Sequence, residues 1–362
     1  MAAIGSGRTP PWAWASPLLA CAALPPAFWF GGSSGAVAGA VGAVLIAAVF
    51  AAVFHAEVIA HRLGEPFGTL VLAVAVTVIE VALIVSLMLE GGDDKAGLAR
   101  DTVFAAVMIV CNGIVGLCLL SGGVRHHEQG FQLQGALAAL AVLAALTVLT
   151  LVIPNVTTSA PGPLLSPSQL VFAGACSLVL YGSFVFVQTV RHRDYFLPAE
   201  GGEDVHAPPP SKRAALASLG LLLASLVAVV GLAKALSSTL EDLVNQAGAP
   251  KAVVGILIAG LVLLPEGLAA LNAARLNRLQ TSMNLALGSA LASIGLTVPA
   301  VAAVSIALGQ PLALGLGPKE MVLLALTLLL AVITLGTGRT TVLQGIVHLA
   351  VFAAFLFLAL VP

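Results

Sequence analysis

Apolar residues fall along this chain in long, nearly uninterrupted runs, with polar residues gathered in short segments between them. Runs of about 20 apolar residues cross a hydrocarbon core as helices. Eleven are visible, at approximately 12–30, 34–54, 67–90, 102–121, 134–153, 169–190, 214–236, 252–272, 283–308, 320–336 and 341–361. The pattern predicts an all-α polytopic membrane protein with about 11 transmembrane helices. The first run reads as a span rather than a cleaved leader. Arg8 is the only charge before it, and Pro25-Pro26 follows its apolar core.

Composition agrees with the pattern. Of 362 residues, 59% are hydrophobic and 9% charged, against about a quarter charged in soluble proteins. Mean hydropathy is +1.08. The net charge of −1 says little, because the charges sit in the connectors, and no basic stripe marks a nucleic-acid binder. Cys21, Cys111, Cys118 and Cys176 all lie in apolar runs and read as small packing residues, not a disulfide framework. The partners implied are the lipid bilayer, small inorganic cations and protons. No cofactor is implied, and a homo-oligomer is compatible with the sequence.

Connector charges orient the spans. Of the 15 Lys and Arg residues, ten fall on the N-terminal side (Arg8, Arg62, Arg125, Arg191, Arg193, Lys212, Arg213, Arg275, Arg278, Arg339). Lys95, Arg100, Lys234, Lys251 and Lys319 fall on the other. The positive-inside rule then predicts a cytoplasmic N-terminus and an outside C-terminus. The longest connector, 191–213, holds Glu200, Glu203, Asp204 and three consecutive prolines, and reads as an acidic, Pro-rich cytoplasmic linker. It divides the chain into an extra N-terminal helix (1–33), a first five-helix repeat (34–190) and a second (214–362). An odd repeat length inverts the second repeat in the membrane.

Two carboxylates break the apolar pattern. Glu80 is the only charge in FGTLVLAVAVTVIEVALIVSLML, and Glu266 is uncharged-flanked from Lys251 to Arg275. A charge at bilayer depth costs about 2.5–3.5 kcal/mol on insertion scales, and such residues mark ion or proton pathways. Each glutamate falls in the second span of its repeat, the arrangement of an inverted-repeat transporter with a midplane site. The following spans add Asn112 with Gly113 and Gly116, and Ser289 and Ser293 with Gly288, Gly295 and Pro299. Two carboxylates, an amide, hydroxyls and released carbonyls suit a hard cation such as Ca2+. The same carboxylates take protons, because burial and a like charge both raise a carboxyl pKa. Thr77, one turn before Glu80, shares its face. It either joins the site or bonds back to its own helix.

A second cluster, His55, Glu57, His61 and Glu65, lies in HAEVIAHRLGEPFG. Its i, i+4 spacings place Glu57, His61 and Glu65 on one helix face. The alternatives are a hydrogen-bonded helix end, an ion-access or pH-sensing site, and a metal site. His348 reads as an isolated buried imidazole with one hydrogen bond. Glu90, Asp93 and Asp94 read as a solvated connector.

GEPFGTLVLAVAVTVIEVALIVSLML with RDTVFAAVMIVCNGIVGLCLL, and LPEGLAALNAARLNRLQTSMNLALGSALASIGLTVPAVA, resemble the two signatures of ChaA-type cation/proton antiporters. These belong to the calcium/proton exchanger branch of the calcium/cation antiporter superfamily. The resemblance implies an eleven-span fold with an extra first helix, and exchange of Ca2+, Na+ or K+ for H+ in a bacterial inner membrane. It maps the superfamily's paired acidic residues onto Glu80 and Glu266, and the polar residues of the next helices onto Asn112 and approximately Ser293. The Gly-Asn-Ala-x-Glu motif of many relatives is replaced by Thr77-Val78-Ile79-Glu80 and Leu263-Leu264-Pro265-Glu266, so fewer amides surround the carboxylates. Two rival readings stay open: an intramembrane metal-dependent enzyme built on the histidine cluster, and a glutamate-lined cation channel.

Overall fold

The computed structural model describes residues 10–30, 35–64, 67–89, 96–197, 209–246, 248, 250 and 252–361. Nearly all of it is helix, in eleven rods. They are α1 (Pro11–Phe30), α2 (Gly35–Leu63), α3 (Phe67–Leu89), α4 (Leu98–His126), α5 (Leu133–Asn155) and α6 (Pro167–Arg191). After the linker come α7 (Lys212–Gln246), α8 (Ala252–Arg275), α9 (Leu279–Leu308), α10 (Pro318–Leu335) and α11 (Val342–Leu360). Among the described residues nine of these are long and apolar enough to cross a membrane. The other two are α3, a 23-residue helix apolar apart from its central Glu80 and a few hydroxyl residues, and α1, which carries Pro17, Pro25 and Pro26. Exposed Trp12 and Trp14 mark one end of α1, and exposed Phe28 and Trp29 the other. At 1.5 Å per residue the two groups lie about 25 Å apart, a little less than the roughly 30 Å hydrocarbon core whose interfaces aromatic residues favour.

Several rods outrun their apolar cores. α2 continues past residue 54 through HAEVIAHRL, because intrahelical hydrogen bonds satisfy the backbone as well at the interface as in the hydrocarbon. The histidine–glutamate segment is therefore helix up to Leu63, with Glu65 outside the described residues.

The chain packs as two compact units, and each draws on both sequence halves. One contains α1, α2, α3 and α7. Here His55 of α2 joins three helices. Its Nε2 donates to the Ala13 carbonyl of α1 at 2.8 Å, leaving Nδ1 to accept from the Ser218 hydroxyl of α7 at 3.2 Å. Trp12 packs edge-on against Phe54 beside this link, with ring centroids 5.3 Å apart. Leu24 of α1 fills the space at Gly231 of α7. His55→Leu strands both partners, at about 1–3 kcal/mol for buried polar groups left unsatisfied. We expect a thermal midpoint several degrees lower in detergent.

The other unit contains α4, α5, α6, α9, α10, α11 and nearly all of α8. α4 is its most buried span, and two of its neighbours, α8 and α11, approach it through glycine. A Cβ on Gly255 or Gly267 of α8 would lie 2.9 Å from Thr102 N or 3.0 Å from Ile114 Cδ1 of α4. On the α11 side, a Cβ at Gly113 would lie 3.2 Å from Phe352, and one at Gly345 only 2.8 Å from Leu120 Cα. Small residues allow this backbone proximity, which drives helix association where lipid leaves no hydrophobic difference to exploit.

The connectors sort to two ends. A two-residue antiparallel ladder pairs β1 (Gln129–Gly130) with β2 (Arg339–Thr340). At that same end Gln129 donates to the Ala274 carbonyl at 3.0 Å, and His126 Nε2 meets the Arg275 carbonyl at 3.0 Å. At the opposite end Ala313 N donates to Ala96 O at 3.0 Å, and Gly315 N to Pro163 O at 3.1 Å. Each rod of this unit thus crosses from one end to the other, as alternating spans must.

Candidate cation site

Glu266 lies on the buried face of α8, 8% exposed, opposite a stripe of exposed Leu257, Leu264 and Leu268. Pro265 precedes it. A proline has no N–H and fits poorly inside a helix, so the Leu261 carbonyl four residues back loses its helical donor. Gly260 and Gly267 bracket Glu266 and face Ile109 and Ile114 of α4, at 4.0 and 3.0 Å for an added Cβ. Those two isoleucines are the ends of Ile109–Ile114, where α4 widens into a π-type turn. Such turns insert a residue into the helical ladder and recur at functional sites.

In the other unit, Glu80 is 2% exposed on α3, and Thr77 is buried one turn earlier on the same face. Thr77 Oγ1 has no hydrogen-bond partner among the described residues. Ser225 and Ser282 share this state, whereas four other buried hydroxyls bond back to their own helix. Thr102, Thr147, Thr150 and Ser177 all return to the carbonyl four residues back, at 2.7–2.8 Å. Of the two sequence alternatives for Thr77, back-bonding is thus not the one adopted. A buried oxygen left available beside a carboxylate is the donor a hard cation uses.

On α9, Ser293 is buried and Ser289 half-buried, one turn apart on one side of the helix. Pro299 interrupts the ladder beyond them and deprives the Gly295 carbonyl of its helical donor. Gly174 of α6 packs against Pro299, with 3.3 Å from an added Cβ to the proline Cα.

Asn112 sits in the π-type turn and is fully buried. Both ends of its amide are engaged within its own unit. Nδ2 donates to Thr327 Oγ1 of α10 at 2.8 Å, and Oδ1 faces His348 Nδ1 of α11 at 3.2 Å. His348 Nε2 in turn meets Thr334 Oγ1 at 3.1 Å. His348 is therefore not the isolated imidazole with one bond that its sequence surroundings indicate, and Thr327 and Thr334 were not singled out at all. Two lone polar residues in separate apolar spans were a signal. Their pairing, 236 positions apart, is invisible in the chain.

The described members of the histidine–glutamate segment stand in different surroundings. His55 is consumed by the three-helix link, Glu57 is half-buried, and His61 carries a buried Nδ1 with no hydrogen-bond partner among the described residues. Nearby, Arg62 donates to the Pro210 carbonyl at 3.1 Å and ties the end of α2 to the approach to α7. Among the described residues no group of three or more His, Cys, Asp or Glu side chains is placed to hold a metal. Of the 191–213 linker, residues 193–196 form a short 3-10 turn whose Phe196 stacks edge-on against Phe184, centroids 5.8 Å apart.

Comparison with known proteins converges on one family. The profile described as "Sodium/calcium exchanger protein" matches residues 34–190 and 217–361. The y4hA protein of Sinorhizobium fredii is 53% identical over 361 residues, covering 99% of this chain and 98% of its own. The sodium-potassium/proton antiporter ChaA of Escherichia coli is 40% identical over 305 residues, 83% of this chain and 82% of its own. The crystal structure of the Ca2+/H+ antiporter protein YfkE superposes with a TM-score of 0.72 at 17% identity, covering 96% of this chain and 99% of that one. At that identity the likeness establishes the fold.

Proposed function

The chain belongs to the sodium/calcium exchanger protein family, an integral membrane family of cation exchangers, and from that premise we propose that it exchanges Ca2+, or Na+ or K+, for protons by alternating access. Family membership removes the enzyme reading. The observation that carries the proposal is the pair of glutamates buried at 2% and 8% exposure on α3 and α8, which in the proposed division are the second spans of their repeats. The family profile's two stretches support division into an extra helix (1–33), two five-helix repeats and a linker.

In this account deprotonated Glu80 and Glu266 supply the charge. Thr77, Ser289, Ser293 and released carbonyls supply neutral oxygens, and Asn112 shapes the turn beside Glu266. Two carboxylates match one divalent charge, which favours Ca2+; similarity to a sodium-potassium/proton antiporter favours the monovalent ions. Protons and cation compete for the same oxygens. The proton-loaded pair is neutral and crosses the apolar layer cheaply, whereas an empty, deprotonated pair carries two negative charges. That difference couples the fluxes. Loop charges support an inner-membrane orientation with the N-terminus in the cytoplasm.

Proteoliposomes with an imposed pH gradient test the reading. Added Ca2+, Na+ or K+ should collapse the gradient, with apparent affinity weakening as pH falls and protons occupy the carboxylates. Cation current without proton movement would establish the channel reading instead.

A further inference from the structure

We infer that His348 is a positioning residue for the cation site, acting through Asn112 on the widened turn of α4 that braces the Glu266 helix. The inference deepens the exchange reading above and rests on it.

With the Asn112 amide oriented as it stands, the buried chain of hydrogen bonds closes in one sense for a neutral imidazole. The Asn112 amide nitrogen can only donate, and it donates to Thr327 Oγ1 at 2.8 Å. Thr327 then directs its own hydrogen to Met108 Sδ at 3.3 Å. The Asn112 amide oxygen can only accept, so His348 Nδ1, at 3.2 Å, carries the proton and donates it. That leaves His348 Nε2 to accept from the Thr334 hydroxyl at 3.1 Å. Each member supplies what its neighbour lacks, and a neutral imidazole in one tautomer completes the set. Asn112, Thr327 and His348 are fully buried, and Thr334 nearly so. A satisfied network of this kind is rigid, and a broken one is costly.

What it rigidifies is one turn. Ile109–Ile114 has two flanks. Asn112 and Gly113 face α10 and α11, where the network and Phe352 hold them. Ile109 and Ile114 face Gly260 and Gly267, on either side of Glu266. The inserted residue of a π-type turn is stable only while its surroundings favour it over the regular helix. Losing the network allows the turn to close, which moves Ile114 by about one residue's rise, ~1.5 Å, against Gly267. A displacement of that size at a multi-oxygen cation site lowers affinity before it stops turnover. Asn112 thereby acts on the cation without giving up its own oxygen to it.

The test compares wild type, His348→Leu, His348→Asn and Thr327→Val as full-length protein. Two readouts are taken with Ca2+, Na+ and K+: apparent KM and maximal rate of proton release in proteoliposomes, and cation-induced rise of the thermal midpoint in detergent. His348→Leu should raise KM about tenfold or more with a smaller fall in maximal rate, and should weaken cation-induced stabilisation in parallel. His348→Asn places an amide N–H near the Nδ1 position and should recover most of the loss. Thr327→Val should raise KM several-fold. Should His348→Leu fail to fold, the other two variants decide. Unchanged KM in the folded variants, or a loss that asparagine does not recover, overturns the inference while leaving exchange standing. Cation stabilisation that depends on His348 in a wild type that moves no protons sinks exchange and retains the inference. No stabilisation by any of the three cations sinks both.

Discussion

Glu266→Gln and Glu80→Gln each abolish cation-triggered proton flux while the protein still inserts and runs monodisperse in detergent. Glutamine keeps the length and shape of the side chain and removes its charge and its proton site together. Breaking a buried charge pair costs about 3–5 kcal/mol, so cation affinity should fall by about 100-fold or more in either single variant. Because the remaining carboxylate cannot balance a divalent ion alone, the double variant should be little worse than the singles. Equal affinities in wild type and singles, measured by cation-induced thermal stabilisation, would remove the glutamates from the site.

The second large effect is structural. Gly345→Leu should destroy the α4–α11 interface, because the added Cβ meets the backbone of Leu120, 2.8 Å from its Cα, with no flexible side chain to yield. Overpacking a well-filled core costs about 1–3 kcal/mol where side chains adjust, and here the helices must separate. Separation carries His348 away from Asn112, so the loss should appear both as a lower thermal midpoint and as weakened cation binding. Gly220→Leu on α7 is the control. Nothing lies within 4 Å of its added Cβ, and its midpoint should stay within about 0.5 kcal/mol of wild type in stability terms.

The all-helical membrane architecture, and the presence of two carboxylates inside apolar helices, were legible because they are one-dimensional signals. An apolar run near 20 residues and a charge inside it are both visible without knowing any neighbour. Helix ends were less so: α2 and α7 extend well beyond their apolar runs, since backbone satisfaction and not hydropathy ends a helix. Thr77 could be read either way, because a threonine hydroxyl reaches its own carbonyl at no sequence cost; only packing decides. His55 illustrates the reverse failure. It neighbours Glu57 and His61 along the chain, yet its ring is taken up by Ala13 and Ser218, 42 and 163 positions away. Asn112 was rightly singled out as a buried polar residue, but its partners lie on α10 and α11. The same residue type at the same depth can face a cation or a histidine.

Proton release on cation binding tests the central claim most directly. Purified protein in weakly buffered detergent, at a pH where the carboxylates are protonated, receives saturating Ca2+, Na+ or K+ while the pH is followed. If cation and protons share Glu80 and Glu266, wild type releases up to about two protons per bound divalent ion, since the cation takes the deprotonated carboxylates and displaces their protons; release falls sharply in each glutamine variant. Full proton release retained in both variants, or cation binding with none in wild type, would contradict the account.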